Sequence, residues 1–138
     1  MYRRIMVAVD GSETANQALV EAVNIANTYS GKLCIVHAIS GDTEADKKAG
    51  LEILGHAQSY LSAISIETRL LKAEAEYGLQ GITGAIADAV SDWGADLLVV
   101  GTANRRGLER FFIGSVAEQL LAKVQTSILL IRPENQLE

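Results

Sequence analysis

Little in this sequence breaks or staples a polypeptide: it has one proline and one cysteine among 138 residues. So little proline removes the usual mark of extended or disordered linkers. The lone cysteine, Cys34, closes no internal disulfide. Its setting, Leu33-Cys34-Ile35-Val36, reads as a small buried side chain, and nothing calls for an oxidising compartment. Basic charge is also in short supply, with 12 Lys and Arg against 17 Asp and Glu and a formal net charge of −5. That balance excludes broad electrostatic binding to nucleic acid or to an anionic membrane, while leaving room for a local phosphate site. Long apolar runs are missing too. The one that follows Met1-Tyr2-Arg3-Arg4 ends at Asp10, too short for a signal-peptide core or a membrane span, which predicts a cytoplasmic protein. The only two histidines, His37 and His56, have no spaced metal partners. His37 reads as a hydrogen-bonded core residue and His56 as an exposed one.

What is present is the composition of a folded domain, 49% hydrophobic and 21% charged. A chain of this length buries roughly two-thirds of the surface its unfolded form exposes. Neither an internal repeat nor a low-complexity linker divides it, so one domain spanning 1–138 is expected.

Apolar runs of strand length alternate with stretches of helical period, the pattern of a parallel sheet covered by helices on both faces. Ile5 to Val9 is the first strand. Ser12 then caps a helix whose apolar positions fall at Ala15, Leu19, Val23 and Ala26, and Tyr29-Ser30-Gly31 ends it. Leu33 to Ile39 is a second, buried strand. The charged run Asp42, Glu44, Asp46, Lys47 and Lys48 reads as a solvated face leading into a helix with Leu51, Leu54 and Leu61. Ile64 to Leu71 alternates apolar with charged residues, as a half-exposed strand near the sheet edge does. A loop punctuated by Gly78, Gly81 and Gly84 precedes a helix that carries Ile82, Ile86, Ala89, Val90 and the core anchor Trp93. Gly94 closes it. Leu97 to Val100 is a fourth strand, Gly101 to Gly114 a long connection, Val116 to Val124 a helix and Ser127 to Arg132 a fifth strand. An open, mostly parallel five-stranded α/β sheet is the economical arrangement, and such sheets bind ligands beyond the carboxyl ends of their strands.

Two segments meet that description. In Val9-Asp10-Gly11-Ser12 a carboxylate stands between a hydrophobic strand and a capped helix. Asp10 either satisfies backbone amides there or accepts hydrogen bonds from a ligand's hydroxyl and amine groups. The second segment is Gly101-Thr102-Ala103-Asn104-Arg105-Arg106-Gly107, continuing to Gly114-Ser115-Val116. Gly101 lets backbone pass close to a ligand, Gly114-Ser115 opens a helix whose free amides favour an anion, and Arg105 and Arg106 add positive charge. Amides, a hydroxyl and guanidinium groups converging on one strand end make a phosphate site, although glycines in turns and solvated arginines occur without any ligand. No Walker A lysine motif is present.

These segments resemble the universal stress protein family. Nucleotide-binding members carry a glycine, two residues, a glycine, nine residues, a glycine and then serine or threonine. Gly101, Gly114 and Ser115 match that pattern, and Asn104 stands where its second glycine is expected. Val7-Ala8-Val9-Asp10-Gly11-Ser12 looks like the family's opening strand, and Gly94 to Gly101 is similar to its fourth. The resemblance spans nearly the whole chain. It implies strand order 3-2-1-4-5, an adenine nucleotide alpha hydrolase-like fold, and a homodimer paired through the last strand, Thr126 to Arg132. It also implies that the ligand is ATP, with Mg accompanying the nucleotide. Asp10 and the Val9 backbone would meet ribose and adenine, with Ala38 near the base. Gly101, Thr102, Asn104 and Arg105 would line the phosphate path, and Gly114, Ser115 and Val116 would bind phosphate. The function so implied is that of a stress-response regulatory protein with at most slow hydrolysis; the alternative is a nucleotide-free dimeric interaction protein of the same fold.

Overall fold

Nine regular elements and one short 3-10 turn, Ala75–Tyr77, run through a computed structural model that describes residues 1–59, 65–102 and 115–132. In chain order the elements are β1 (Arg4–Ala8), α1 (Glu13–Tyr29), β2 (Lys32–Ile39), α2 (Glu44–Gln58), β3 (Ile66–Lys72), α3 (Leu79–Trp93), β4 (Leu97–Gly101), α4 (Ser115–Lys123) and β5 (Ser127–Ile131). The strands form one sheet in the order β3-β2-β1-β4-β5, and every pairing is parallel. The expected α/β class, strand order and strand count are therefore all observed.

Strand period divides the core between the two faces of the sheet. Ile5, Val7, Leu33, Ile35, Leu97 and Val99 pack against α1 and α2. Met6, Cys34, Val36, Leu98 and Val100 pack against α3 and α4. Fully burying one such aliphatic side chain contributes about 1.5–3 kcal/mol, so the central strands carry most of the apolar stabilisation. β3 and β5 lie at the edges, and their residues are only partly buried.

Local chemistry sets the helix ends. The Ser12 side chain accepts from the Ala15 amide at 3.1 Å. Thr43 forms a capping box with Asp46, so part of the charged run read as a solvated face starts α2. The expected glycine loop is shorter than its composition implied, because Gly81 and Gly84 lie inside α3. A Cβ on Gly81 would stand 2.6 Å from the Glu74 carbonyl oxygen, so glycine there answers to close approach by the preceding connector and not to a turn. Leu61 and Ile64, expected in the second helix and third strand, lie outside the described residues, as do 103–114 and 133–138.

The amino edge of the sheet is closed by a polar network. The Asp96 carboxylate accepts from the Arg3 amide at 2.9 Å and the Arg4 amide at 3.1 Å. Arg4 Nε donates to the Trp93 carbonyl at 2.9 Å, and its guanidinium lies 4.2 Å from the Trp93 ring centre. Trp93 Nε1 donates to Glu67 Oε1 at 3.0 Å, and Arg69 Nε to Glu67 Oε2 at 2.9 Å. The Arg69 bond, then the Trp93 bond, holds the Glu67 carboxyl below its ordinary value. Burial, reinforced by Glu67, pushes the neighbouring Cys34 thiol up to about 11. It is neutral at physiological pH and fully enclosed, as expected for a core cysteine.

Candidate functional site

The opposite edge of the sheet is open for a topological reason. α1, which leaves β1, packs on one face with α2, whereas α3 and α4 cover the other. Between β1 and β4 the connections part, and a crevice opens beyond the strand ends. Its volume is about 260 Å³. The first helical turns of α1, α3 and α4 all reach it, through Ala15, Leu79 and Val116. Three helix amino ends facing one crevice give it a positive dipole field.

Six of the residues picked out from the sequence line this cleft together: Val9, Asp10, Ala38, Gly101, Thr102 and Val116. Ser115 is the first residue of α4, next to Val116. Asn104, Arg105 and Gly114 lie outside the described residues.

The turn after β1 is held from three sides. The Asp10 Oδ1 oxygen accepts from the Ser12 amide at 2.9 Å, an Asx turn leading into α1. The Val9 amide donates to the Val36 carbonyl at 2.9 Å. His37 Nδ1 lies 2.7 Å from the Val9 carbonyl oxygen. A carbonyl only accepts, so Nδ1 is the protonated nitrogen in this contact. His37 is hydrogen-bonded, as expected, but it is half-buried and lines the cleft instead of lying in the core, and it fixes the height of the turn that presents Asp10.

The base of the cleft is apolar. Val36 and Ala38 of β2 and Ile82 and Ile86 of α3 line it. Ile82 and Ile86 read from the sequence as helix-to-core positions, and the signal for their second role is that their stripe runs on towards the helix amino end. In a parallel fold that end must lie at the ligand edge. Backbone groups alternate in direction along a strand. Val36 points its carbonyl at β1, so Ala38, two residues on, turns its amide and carbonyl the same way, past the point where β1 has ended. A slot with aliphatic walls and one exposed stretch of backbone suits a flat ring system bearing hydrogen-bonding edges.

Towards β4 the lining is Val100, Gly101 and Thr102, with Val116, Ala117 and Leu120 of α4, and among these Thr102 is the one polar side chain. Thr102 is 6% exposed, and its hydroxyl oxygen is enclosed without a hydrogen-bond partner. Among the described residues no group of three His, Cys, Asp or Glu side chains is arranged to hold a metal.

A parallel α/β sheet with a cleft at its switch point, an Asx turn on one side and helix amino ends on the other, is the architecture of nucleotide-binding α/β proteins as a class. The chain belongs to the universal stress protein family, whose sequence profile matches residues 1–132. It is similar to a protein of Staphylococcus epidermidis described as a universal stress protein, at 31% identity over 153 residues covering 99% of this chain and 88% of that one. It is also similar to the solved universal stress protein of Archaeoglobus fulgidus, at 26% identity and TM-score 0.79, over 95% of this chain and 99% of that one. A further solved structure from that organism, in complex with dAMP, aligns at 26% identity and TM-score 0.73, over 94% and 98% of the two chains. The shared arrangement is the adenine nucleotide alpha hydrolase-like fold.

Proposed function

We propose that this chain binds an adenine nucleotide, ATP with its accompanying Mg, in the cleft between β1 and β4, and acts as a homodimeric cytoplasmic stress-response regulator. The observation that carries the reading is the slot between Ala38 and Ile86, with backbone hydrogen-bonding groups at its floor and helix amino ends at its far side. A purine edge pairs with the Ala38 backbone, and the second carboxylate oxygen of Asp10 accepts from the ribose. Val9, whose amide and carbonyl are already bonded within the protein, contributes mainly contact surface. The phosphates run towards Gly101 and the start of α4, where Ser115 and Val116 offer amides, and onward past Asn104, Arg105 and Gly114. The dAMP carried by the Archaeoglobus fulgidus relative supports the ligand class.

At roughly 0.3 kcal/mol per non-hydrogen atom, a ligand of about thirty atoms gains ~9 kcal/mol, which corresponds to micromolar dissociation. Hydrolysis, if present, is slow in this reading, since it assigns no general base beside the terminal phosphate. The homodimer reading is supported by β5, an edge strand whose Ile128, Leu129, Leu130 and Ile131 are all partly exposed.

Titration calorimetry with ATP, ADP, AMP and dAMP, with native mass spectrometry of freshly purified protein, tests this. Micromolar binding of at least one adenine nucleotide is expected. Absence of bound nucleotide and of any heat at millimolar ATP replaces this reading with that of a nucleotide-free interaction protein. Asn104 at the family's second glycine position is the feature that favours that second reading.

A further inference from the structure

Three threonines are buried, and the hydroxyls of two of them, Thr14 and Thr102, are enclosed without a hydrogen-bond partner. Thr83 of α3 is the exception. Its hydroxyl lies 3.0 Å from the Leu79 carbonyl oxygen, one turn back, and 2.8 Å from Gln119 Oε1 of α4. A hydroxyl has one proton to give, and the acceptor on the other helix is the nearer. Among the described side chains this is the one hydrogen bond that ties α4 to the rest of the fold. α3 is anchored without it: Gly81 in its first turn is backed by Glu74, and at its far end the Trp93 carbonyl and indole are bonded to Arg4 and Glu67. α4 has nine residues, a length at which a helix is marginal on its own. Its buried residues, Ala117 and Leu120, attach it by apolar contact. That attraction is non-directional and leaves a short helix free to slide and turn.

We propose that the Thr83–Gln119 hydrogen bond fixes α4 against α3 at the spacing the ligand requires, which makes Gln119 a positioning residue for nucleotide binding although neither it nor Thr83 lines the cleft. This rests on the nucleotide reading of the cleft. Both helices line it, α3 through Leu79, Ile82 and Ile86 and α4 through Val116, Ala117 and Leu120. Gln119 lies within one helical turn of all three α4 residues. A directional bond at that point sets the rotation of α4 about its axis and its height along α3. Once the bond is lost, the ligand itself must set α4 in place, and that ordering cost is subtracted from affinity. The fold loses little, because the Thr83 hydroxyl falls back on the Leu79 carbonyl and no buried polar group is stranded. Affinity and stability therefore separate.

Calorimetry with AMP, together with thermal melts of the ligand-free protein, tests this in the original chain, in Gln119→Met, Thr83→Val and Thr83→Ser, and in the double variant Thr83→Val, Gln119→Met. Met keeps the length and helix preference of Gln without its polar end, and Val keeps the shape of Thr without its hydroxyl. Gln119→Met and Thr83→Val are each expected to weaken AMP about fivefold. The melting midpoint of Gln119→Met stays within about 4 °C of the original. The double variant also loses about fivefold and no more, since both changes remove the same bond. Thr83→Ser keeps the hydroxyl and stays within about twofold. Unchanged AMP affinity in Gln119→Met overturns the inference and leaves nucleotide binding standing, as do losses that add in the double variant or a larger drop in the Gln119→Met midpoint. Failure of the original protein to bind any adenine nucleotide overturns both.

Discussion

Gly101 shows how one residue is constrained from a distance. A Cβ there would meet Thr14 Cγ2 at 2.7 Å and the Thr14 carbonyl oxygen at 3.1 Å. Gly101→Ala must push the end of β4 away from the first turn of α1, and overpacking of this kind costs about 1–3 kcal/mol, seen as a lower midpoint in urea. From the sequence, Gly101 reads as letting backbone pass close to a ligand, whereas the close approach the structure shows is to Thr14. Nothing local to Gly101 names that partner. The same limit applies to the unpaired hydroxyls: a threonine looks identical in sequence whether its oxygen is paired or orphaned. Asp10, Ala38, Thr102 and Val116 were legible through the family pattern, and the structure gathers them around one cleft. Asn104 is the departure from that pattern. On the proposed nucleotide reading, replacing it with glycine is expected to tighten ATP about tenfold by calorimetry.

Elements were readable wherever period and caps agreed. The alternation in β3 announced a half-exposed edge, and its burial pattern follows suit. The start of α3 was misread because three glycines at short spacing resemble a turn, whereas at Gly81 the constraint is the Glu74 carbonyl packed against the helix. The charged run from Asp42 to Lys48 is largely exposed, as read, but all of it except Asp42 lies within α2 and not in a segment leading to it. Asp46 caps the helix, and Asp42 pairs with Lys72 at 3.1 Å, a contact formed only once β3 lies alongside. At the amino edge, Glu67 ties β3 to the end of α3 through Trp93. Its folded-state pKa lies below the ordinary 4.5, with the Arg69 hydrogen bond as the main cause. A carboxylate lowered in this way adds stability at pH values above 4.5, and that contribution disappears as acid protonates the folded state. Glu67→Gln preserves an acceptor for the indole but removes the charge. Its unfolding free energy is therefore expected to fall less than that of the original between neutral pH and about pH 3.5, in urea titrations at both. A parallel pair of curves refutes the assignment. Because Glu67 is exposed, the effect is small.

At the scale of the whole molecule, the five-stranded order followed from resemblance, whereas the parallel sheet itself followed from alternation of strand and helix patterns. What no pattern in the chain could give is how the free edges are used. Along β5, the Ile131 carbonyl accepts from the amide of Thr102, just past β4, at 2.8 Å. By alternation Ile128 and Leu130 turn their backbone groups outward. Leu130→Pro therefore keeps the ladder to β4 while deleting a donor from the edge that would meet a second copy. The expected result is a monomer by light scattering, with helix and sheet content retained by circular dichroism. A dimer of unchanged affinity would mean that the two copies meet elsewhere.

The fold also separates two optical signals. Trp93 is the only tryptophan in the chain, and it ends α3, the helix whose first turn borders the cleft. Fifteen helical residues span about 22 Å. The indole lies beneath a guanidinium at the amino edge, far from any bound nucleotide. Its fluorescence should remain constant as ligand fills the cleft and change only when the sheet itself comes apart. One sample, titrated and then denatured in the same cuvette, would report the energy gained from the ligand solely as a later unfolding transition.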